Sequence, residues 1–578
     1  MSLTHIPYGS RGRVIPLIHG QTTGLKASHL TALERLYRRR IPATQVLTPE
    51  LARTTAQLSR EIRRPIGLLI TRRGVVEQVL VGPGCIPTLE SLSKFRAGLR
   101  SLRGLRLIRT HLGDEPLTQE DLTNLALLRL DLIGVLGVDA EGEPTLLHLA
   151  HLLPPNPQGQ ICRLLKPASV HHMTLQFDTF VKTLDSDLLL RDTHFTVVDG
   201  KESAILVSAS SKSRAEQEEH LEELNELATS ADVTVMDRIL QRTHEDYQRY
   251  LLGRGKLKEV VIRALQRGAD LLIFDQDLAP AQARAISEVT DIKVIDRTQL
   301  ILDIFARRAH TREGKVQVEL AQLRYLLPRL SGRGSSLSRL GGGIGSRGPG
   351  ETKLETDRRR IRDRIAHLER ELAHISRQQD QRRARRLRHA LPIVSIVGYT
   401  NAGKSTLLNA LTDSQVAVQD RLFETLDTTS RRLRFPQDRE IIVTDTVGFI
   451  RDLPKDLVGA FRTTLEELRD ADMLLHVVDA TAKDIDMQIQ SVEAVLQTLQ
   501  VDAIPRIVVL NKCDRLSAHE CLVLCQRYRA IGISALRRDS LRPLINHLES
   551  FLAALPSSGN PDIQAAHPSP ALALASRP

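Results

Sequence analysis

The chain has 578 residues, 41% hydrophobic and 26% charged, with a formal net charge of +11. That length exceeds a single hydrophobic core and the composition is globular, so three or four domains are expected and a fibrous or wholly disordered chain is excluded. The five cysteines are odd in number and form no Cys-x-x-Cys pair, which supports neither a disulfide framework nor a zinc site. No signal peptide is read, and no apolar run approaches the ~20 residues of a membrane span, so a cytoplasmic protein without membrane spans is expected.

Residues 1–165 read as an α/β extension. Leu30–Leu36 has a helical pattern, and Ile66–Ile70, Val75–Val81, Leu105–Ile108, Leu130–Leu136 and Thr145–Leu149 are strand-like. Asp114-Glu115 and Glu120-Asp121 read as helix-start charges rather than as catalytic carboxylate pairs. His171-His172 has no partner at ligand spacing and reads as structural. Residues 166–202 read as a connecting segment.

Residues 203–310 alternate strand and helix patterns: Ala204–Val207, Arg214–Ala228, Val233–Val235, a helix to Gln266, Asp270–Asp275, Pro280–Val289, Ile292–Ile295 and Thr298–Arg308. Such alternation argues for a small parallel sheet covered on both faces. Gly253-Arg-Gly-Lys256 is too short for a phosphate loop of the Walker type; an anion or RNA-backbone contact is the remaining functional reading.

Residues 311–390 read as two helices joined by a glycine-rich tip. In the second, Leu354, Ile361, Ile365, Leu368, Leu372 and Ile375 make a heptad seam, so an antiparallel hairpin is expected. The tip carries Arg333, Arg339 and Arg347 without acidic residues, which suits contact with RNA phosphates. Its Gly343-Ile-Gly-Ser-Arg-Gly348 follows no strand, so a dinucleotide fingerprint is rejected. Arg312–Arg388 holds 20 Lys and Arg against 9 Asp and Glu, an excess equal to that of the whole chain. Charge concentrated in this way points to a polyanionic partner.

Residues 391–555 carry the nucleotide motifs, and 556–578 read as a disordered tail. Gly398, Tyr399, Thr400, Asn401, Ala402, Gly403, Lys404 and Ser405 follow the apolar run Ile393–Val397 and precede a helical pattern, the context that a G-x-x-x-x-G-K-[ST] loop requires. There the backbone N–H groups face phosphate oxygens, Lys404 reaches the β and γ phosphates, and the Ser405 hydroxyl binds Mg²⁺. Asp445, Thr446, Val447 and Gly448 end a second apolar run, placing Asp445 to hold Mg²⁺ through a water and the Gly448 N–H to sense the γ-phosphate. Asn511, Lys512, Cys513 and Asp514 follow Ile507–Leu510. The Asp514 carboxylate can accept both N1–H and N2–H of guanine, a donor pair that adenine lacks, so GTP and GDP are the expected ligands. Ile533, Ser534 and Ala535 resemble a last guanine-contacting loop. Phe423, Glu424, Thr425, Leu426 and Asp427 lie where a first switch must fall. Thr425, Thr428 and Thr429 are its Mg²⁺-binding candidates, and Thr425 is favoured because Thr-Leu after an aromatic residue resembles the first switch of Obg-related GTPases. Lys404, Thr425 and Gly448 are the expected catalytic set. Phe449 stands where Ras-like proteins orient water with glutamine, so slow intrinsic hydrolysis and a stimulating partner are expected.

Taken together, the chain resembles the HflX family of translational GTPases. The resemblance rests on Val294-Ile-Asp-Arg-Thr298, Leu302–Ala306, Lys315–Leu323, Gly341–Gly345 with Arg347-Gly-Pro-Gly-Glu351, Leu354–Arg358 and Asp445–Ile450 with Leu453-Pro454, and it covers about Ser203–Leu555. It implies an α/β chain: a P-loop GTPase domain with a doubly wound, mostly parallel sheet, preceded by a small α/β domain and an antiparallel helical hairpin; the extra N-terminal α/β domain at residues 1–165 lies outside the family's shared core and resembles an extension that some members carry. It further implies a cytoplasmic, Mg²⁺-dependent GTPase of the 50S ribosomal subunit, its hairpin tip directed toward the peptidyl-transferase region, acting in ribosome splitting, rescue under stress or ribosome biogenesis; a monomer is expected. ATP use by residues 203–310 stays open under the same resemblance. The rival readings are an RNA-dependent NTPase or remodeller driven by residues 203–310, a tRNA-modification or transport GTPase, and an RNA-binding scaffold.

Overall fold

A computed structural model describes residues 17–89, 91–92, 94–95, 101–154, 156, 158–195, 201–243, 249–330, 353–386, 391–412, 429–435, 440–446, 448–451 and 467–554. The chain divides into two compact units: residues 1–301 with 326–359, and residues 302–325 with 360–578.

The first unit opens with a mixed sheet. Its strands are β1 (His19–Gly20), β2 (Ile66–Thr71), β3 (Val76–Val81), β4 (Leu105–Leu112), β5 (Leu132–Val138), β6 (Pro144–Leu152), β7 (Cys162–Leu164) and β8 (Ala168–Ser169), in the order β1-β3-β2-β4-β5-β6-β7 with β8 also on β6. Helices α1 (Ala27–Leu36), α2 (Pro49–Ile62), α3 (Gln119–Leu128) and α4 (Phe177–Phe195) accompany it. Alternation along β2 sends Leu68 and Ile70 into a core with Leu33, Leu51 and Phe177, and Leu69 into the opposite one with Leu125 and Leu184. Each fully buried aliphatic side chain contributes about 1.5–3 kcal/mol. Helix α3 starts at Thr118, which forms a reciprocal capping box with Asp121. The acidic pair Glu120-Asp121 is therefore at a helix start, as expected.

The segment expected to be a connector is different. It forms α4, whose Phe177 and Val181 enter one core and Leu184 and Leu188 the other. Arg72 fastens it by donating to Asp185 at 2.7 Å and to Asp131 at 2.7 Å. The spacing of those four apolar residues, four, three and four, is helical, and burial of that stripe is what orders the segment.

A second, wholly parallel sheet follows in the same unit: β9 (Ser203–Ser210), β10 (Thr234–Arg242), β11 (Leu271–Phe274) and β12 (Lys293–Asp296), ordered β10-β9-β11-β12. Its helices are α5 (Arg214–Ser230), α6 (Arg254–Arg267), α7 (Pro280–Ser287) and α8 (Arg297–Arg308), the last crossing into the second unit. Leu127 of α3 shares a core with Leu257 and Val261 of α6, and Arg103 pairs with Asp291, so a helix of the first sheet packs on a helix of the second. At the carboxyl edge of β11 the buried Asp275 accepts from Arg297 at 3.3 Å and faces His220 Nδ1 at 3.2 Å. Gly253 is the N-cap of α6, and Lys256 is paired with Glu259 at 2.8 Å.

Helix α9 (Arg312–Arg329) also crosses between the units, and α10 (Lys353–Arg386) follows it. Val316 and Leu320 of α9 pack on Leu368 of α10. Glu319 accepts from Arg364 at 2.7 Å and Glu371 from Arg312 at 2.8 Å, a pairing in which the chain directions oppose. The hairpin tip, with Arg333, Arg339 and Arg347, lies outside the described residues.

The second unit also holds β13 (Ile393–Gly398), β14 (Thr429–Arg434), β15 (Glu440–Asp445), β16 (Met473–Asp479), β17 (Arg506–Asn511) and β18 (Ile531–Gly532), ordered β14-β15-β13-β16-β17-β18. Only β14 is antiparallel to its neighbour. Helices α11 (Lys404–Thr412) and α14 (Arg542–Ala554) cover one face through Leu407, Leu408, Leu544 and Leu548. On the other face α12 (Ile485–Thr498) and α13 (Ala518–Tyr528) pack Ile485, Ile489, Leu524 and Cys525 against Val478 and Leu510. This is a doubly wound, mostly parallel α/β fold.

Candidate nucleotide-binding site

The site lies at the carboxyl edge of the six-stranded sheet, where the strand order reverses on either side of β13 and ligands of doubly wound folds bind. Gly398 ends β13 at φ +154, and a Cβ there would stand 2.1 Å from the Val477 carbonyl oxygen. Gly403 has φ +89, and its Cβ would stand 2.3 Å from Asn511 Nδ2. Both glycines of the loop are thus fixed by what lies against them, and the second by a residue more than a hundred positions away.

Asn511 joins three loops. Its Nδ2 donates to the Ala402 carbonyl at 2.8 Å, and its Oδ1 accepts from the Ala535 N–H at 2.9 Å. Ile533 N–H donates to Leu510 O at 2.8 Å and Cys513 N–H to Ile533 O at 3.1 Å, which sets Ser534 and Ala535 beside the Asn511–Asp514 turn. Lys512 sits in the left-handed region at φ 66, and its ammonium pairs with Asp479 at 2.7 Å. The Ser534 hydroxyl is near Asp514 without completing a hydrogen bond, and it leads the causes, with Arg537 and Arg515, that hold the Asp514 carboxyl below its ordinary range. Asp514 is therefore an acceptor at neutral pH.

At the head of α11, buried Lys404 donates to the Tyr399 carbonyl at 2.8 Å. Burial pushes its pKa down to about 8, against the pull of Asp445. The Ser405 hydroxyl donates to Asp445 Oδ2 at 2.7 Å, and Asp445 is almost wholly buried. These are hard oxygen donors, the set that Mg²⁺ prefers.

The phosphate loop is also stitched to the segment after Asp445. Thr446 donates to Ile396 O at 2.7 Å, Phe449 N–H to Gly398 O at 3.1 Å, and Thr400 N–H to Phe449 O at 2.7 Å. The Tyr399 hydroxyl accepts from Arg451 N–H at 2.7 Å. Gly448 lies so close that a Cβ would be 2.7 Å from Thr400 Cγ2 and 2.9 Å from Lys404 Nζ. Phe449 is buried, so its ring is packed rather than presented to water.

The structure thus brings together Gly398 to Ser405, Asp445, Thr446, Gly448, Asn511 to Asp514 and Ile533 to Ala535. Phe423, Glu424, Thr425, Leu426, Asp427 and Val447 lie outside the described residues. Asp479 and the Tyr399–Arg451 contact were not anticipated. Asp479 ends the apolar run Met473–Val478, a signal that could have marked it; nothing local marks the tyrosine. His476, one strand over, is buried with its pKa pushed down to about 4 by burial and by the charges of Arg506 and Lys404. Among the described residues no helix is long and apolar enough to cross a membrane.

Three family models match the chain: "GTP-binding GTPase N-terminal" over residues 218–306, "GTP-binding GTPase Middle Region" over 308–386, and "50S ribosome-binding GTPase" over 393–512. The chain is 50% identical over 352 residues to GTPase HflX of Caldanaerobacter subterraneus, covering 61% of this chain and 81% of that protein. It is 45% identical over 326 residues to GTPase HflX of Escherichia coli, covering 56% and 76%. Among solved structures, a GTP-binding protein from the archaeon Sulfolobus solfataricus in complex with GDP is 26% identical, covering 60% of this chain and 99% of that one at a TM-score of 0.35.

Proposed function

The chain belongs to the HflX family of GTPases, and from that premise we propose that it is a Mg²⁺-dependent GTPase whose nucleotide state governs its hold on the 50S ribosomal subunit. The observation that carries the guanine-nucleotide part of the proposal is the bridge made by Asn511, which joins the phosphate loop to the loops holding Asp514 and Ala535. Loops cross-linked in this way lose little freedom on binding, so in this reading phosphate affinity and base choice share one frame.

In this reading Lys404 and the N–H groups of residues 398–405 hold the phosphates, while Asp514, with Ser534 and Ala535, selects guanine. Ser405, Thr425 and, through a water, Asp445 would hold Mg²⁺, which would supply charge neutralisation at the phosphates. Lys404 and Gly448 follow the γ-phosphate. Because Phe449 is packed into the structure and offers no polar atom, the group that orders the attacking water comes from the ribosome.

The 50S partner is supported by the name of the matching family and by the charge excess of Arg312–Arg388. Arg333, Arg339 and Arg347 are assigned to rRNA phosphates. The setting is the cytoplasm, the working form is a monomer, and the biological step is splitting, rescue or biogenesis of ribosomes. Single-turnover hydrolysis with and without purified 50S subunits tests this. Stimulation of about 10³-fold or more is the expected result for a supplied catalytic group. A fast isolated protein, indifferent to subunits, would refute it.

A further inference from the structure

Beside the guanine loop lies a cluster that nucleotide hydrolysis does not use. Three of the five cysteines, Cys513, Cys521 and Cys525, converge on Gly532 in β18. A Cβ at Gly532 would stand 2.8 Å from Cys525 Sγ, 3.0 Å from Cys521 Sγ and 3.3 Å from Cys513 Sγ. Cys521 Sγ and Cys525 Sγ are 4.0 Å apart on α13, and Cys513 Sγ also donates to the Leu510 carbonyl at 3.3 Å. All three thiols are only partly buried. Among the described residues no group of three His, Cys, Asp or Glu is spaced to hold a metal ion, so the cluster is read as thiol chemistry.

We infer that Cys513 and Cys521 form a dithiol site for small-molecule disulfides, and that its oxidation distorts the guanine loop and weakens nucleotide binding. The inference rests on the assignment of residues 511–514 to guanine. Geometry rules out one of the three pairs. Residues four apart on a helix hold their Cβ atoms about 5–6 Å apart. A disulfide needs Cβ atoms about 3.5–4.5 Å apart, so Cys521 and Cys525 cannot be bridged without deforming α13. Cys513 sits on the neighbouring turn and its sulfur approaches the same point at Gly532; after burial, Cys521 is also the neighbour that contributes most to raising the Cys513 pKa.

The chemistry balances as an exchange. The Cys521 thiolate attacks one sulfur of the small disulfide, forming a mixed disulfide and releasing one thiolate, which takes up the proton Cys521 gave up. The Cys513 thiolate then attacks the Cys521 sulfur, and a second small thiol leaves. Two protein thiols are oxidised and one small disulfide is reduced to two thiols. Burial, aided by the neighbouring Cys521, pushes Cys513 up to about 12 and Cys525 up to about 11. Scarce Cys513 thiolate slows the closing step, and Cys513 as a poor leaving thiolate makes the product persistent.

The consequence follows from the neighbours of Cys513. Lys512 is held to Asp479 at 2.7 Å, and Asp514 is the guanine acceptor. Drawing Cys513 onto α13 moves the backbone between them. Cys521 and Cys525 themselves carry no part of the nucleotide site.

The test incubates the full chain with glutathione disulfide, maps the linkage by peptide mass spectrometry and measures GDP affinity by fluorescence before oxidation, after it, and after dithiothreitol. The expected result is a Cys513–Cys521 linkage, a loss of affinity of about tenfold or more, and recovery on reduction. Cys521→Ser should bind GDP like the reduced protein and ignore the oxidant, whereas Cys525→Ser should still respond. No linkage, a linkage without loss of affinity, or an equal response in Cys521→Ser would overturn the inference. Failure of the reduced wild-type protein to bind GDP would instead strike the guanine assignment, so the two failures are distinguishable.

Discussion

The Ser405 hydroxyl donates a 2.7 Å hydrogen bond to the Asp445 carboxylate, across from the head of α11 to the end of β15. Both oxygens suit a hard divalent ion, which would replace that bond by coordination, directly at Ser405 and through a water at Asp445. The bound nucleotide should therefore leave more slowly when Mg²⁺ is present. Chelating Mg²⁺ should speed GDP release by about tenfold or more, and Ser405→Ala should lose most of that difference. Stopped-flow release with Mg²⁺ or EDTA checks it; a Mg²⁺ effect of unchanged size in the variant would place the cation elsewhere.

Lys404 carries a pH signature. Its folded pKa of about 8 lies below the ordinary lysine value of 10.5. Between these values the unfolded chain binds the extra proton, so the nucleotide-free fold gains stability as pH rises from about 8 toward 10.5. Phosphates favour the ammonium, so binding above pH 8 takes up a proton. GDP affinity should fall by up to about tenfold per pH unit above 8, and calorimetry in buffers of different ionisation enthalpy should show proton uptake. A Lys404→Met variant should show neither effect, and a flat wild-type profile from pH 7 to 9.5 would contradict the assignment.

Gly403→Ala tests the long-range fit of the loop. An alanine at φ +89 costs about 1–2 kcal/mol from backbone conformation alone. It also forces Asn511 Nδ2 off the Ala402 carbonyl, a buried bond whose loss costs about 1–3 kcal/mol. Nucleotide affinity should drop by about a hundredfold or more while the fold, followed by circular dichroism, persists. Near-normal affinity would mean that the Asn511 bridge is dispensable.

Phe177→Ala tests whether α4 is part of the extension rather than a tether. The ring is buried beneath the Arg106 guanidinium, 4.2 Å from its centroid, in the same core as Leu33 and Leu51. A loss of about 3–5 kcal/mol is expected, read as an earlier urea transition of the extension. A loss under about 1 kcal/mol would return this segment to a connecting role.

Much of the nucleotide site was legible because phosphate binding restricts the backbone locally. Gly398, Gly403, Lys404 and Ser405 are dictated by a strand, a tight turn and a helix start that adjoin in the chain. The reason that Gly403 must be glycine was not legible, since the colliding atom belongs to Asn511. The same holds for Tyr399, whose hydroxyl meets Arg451 only after the sheet has formed. Helix α4 has a legible signal, since Phe177, Val181, Leu184 and Leu188 repeat at helical spacing, but acidic and polar neighbours dilute the stripe so that it resembles a connector. Thr425, the favoured threonine of the first switch, and Arg333, Arg339 and Arg347 at the hairpin tip lie outside the described residues, so their roles stand as proposals.

The central claim, that the nucleotide decides whether the basic hairpin holds the large subunit, is tested most directly by cosedimentation of the full chain with purified 50S subunits. The chain should pellet with the subunits in a non-hydrolysable GTP analogue and stay in the supernatant with GDP, and Lys404→Ala should fail to pellet in either. Equal pelleting with both nucleotides, or undiminished pelleting of Lys404→Ala, would contradict it.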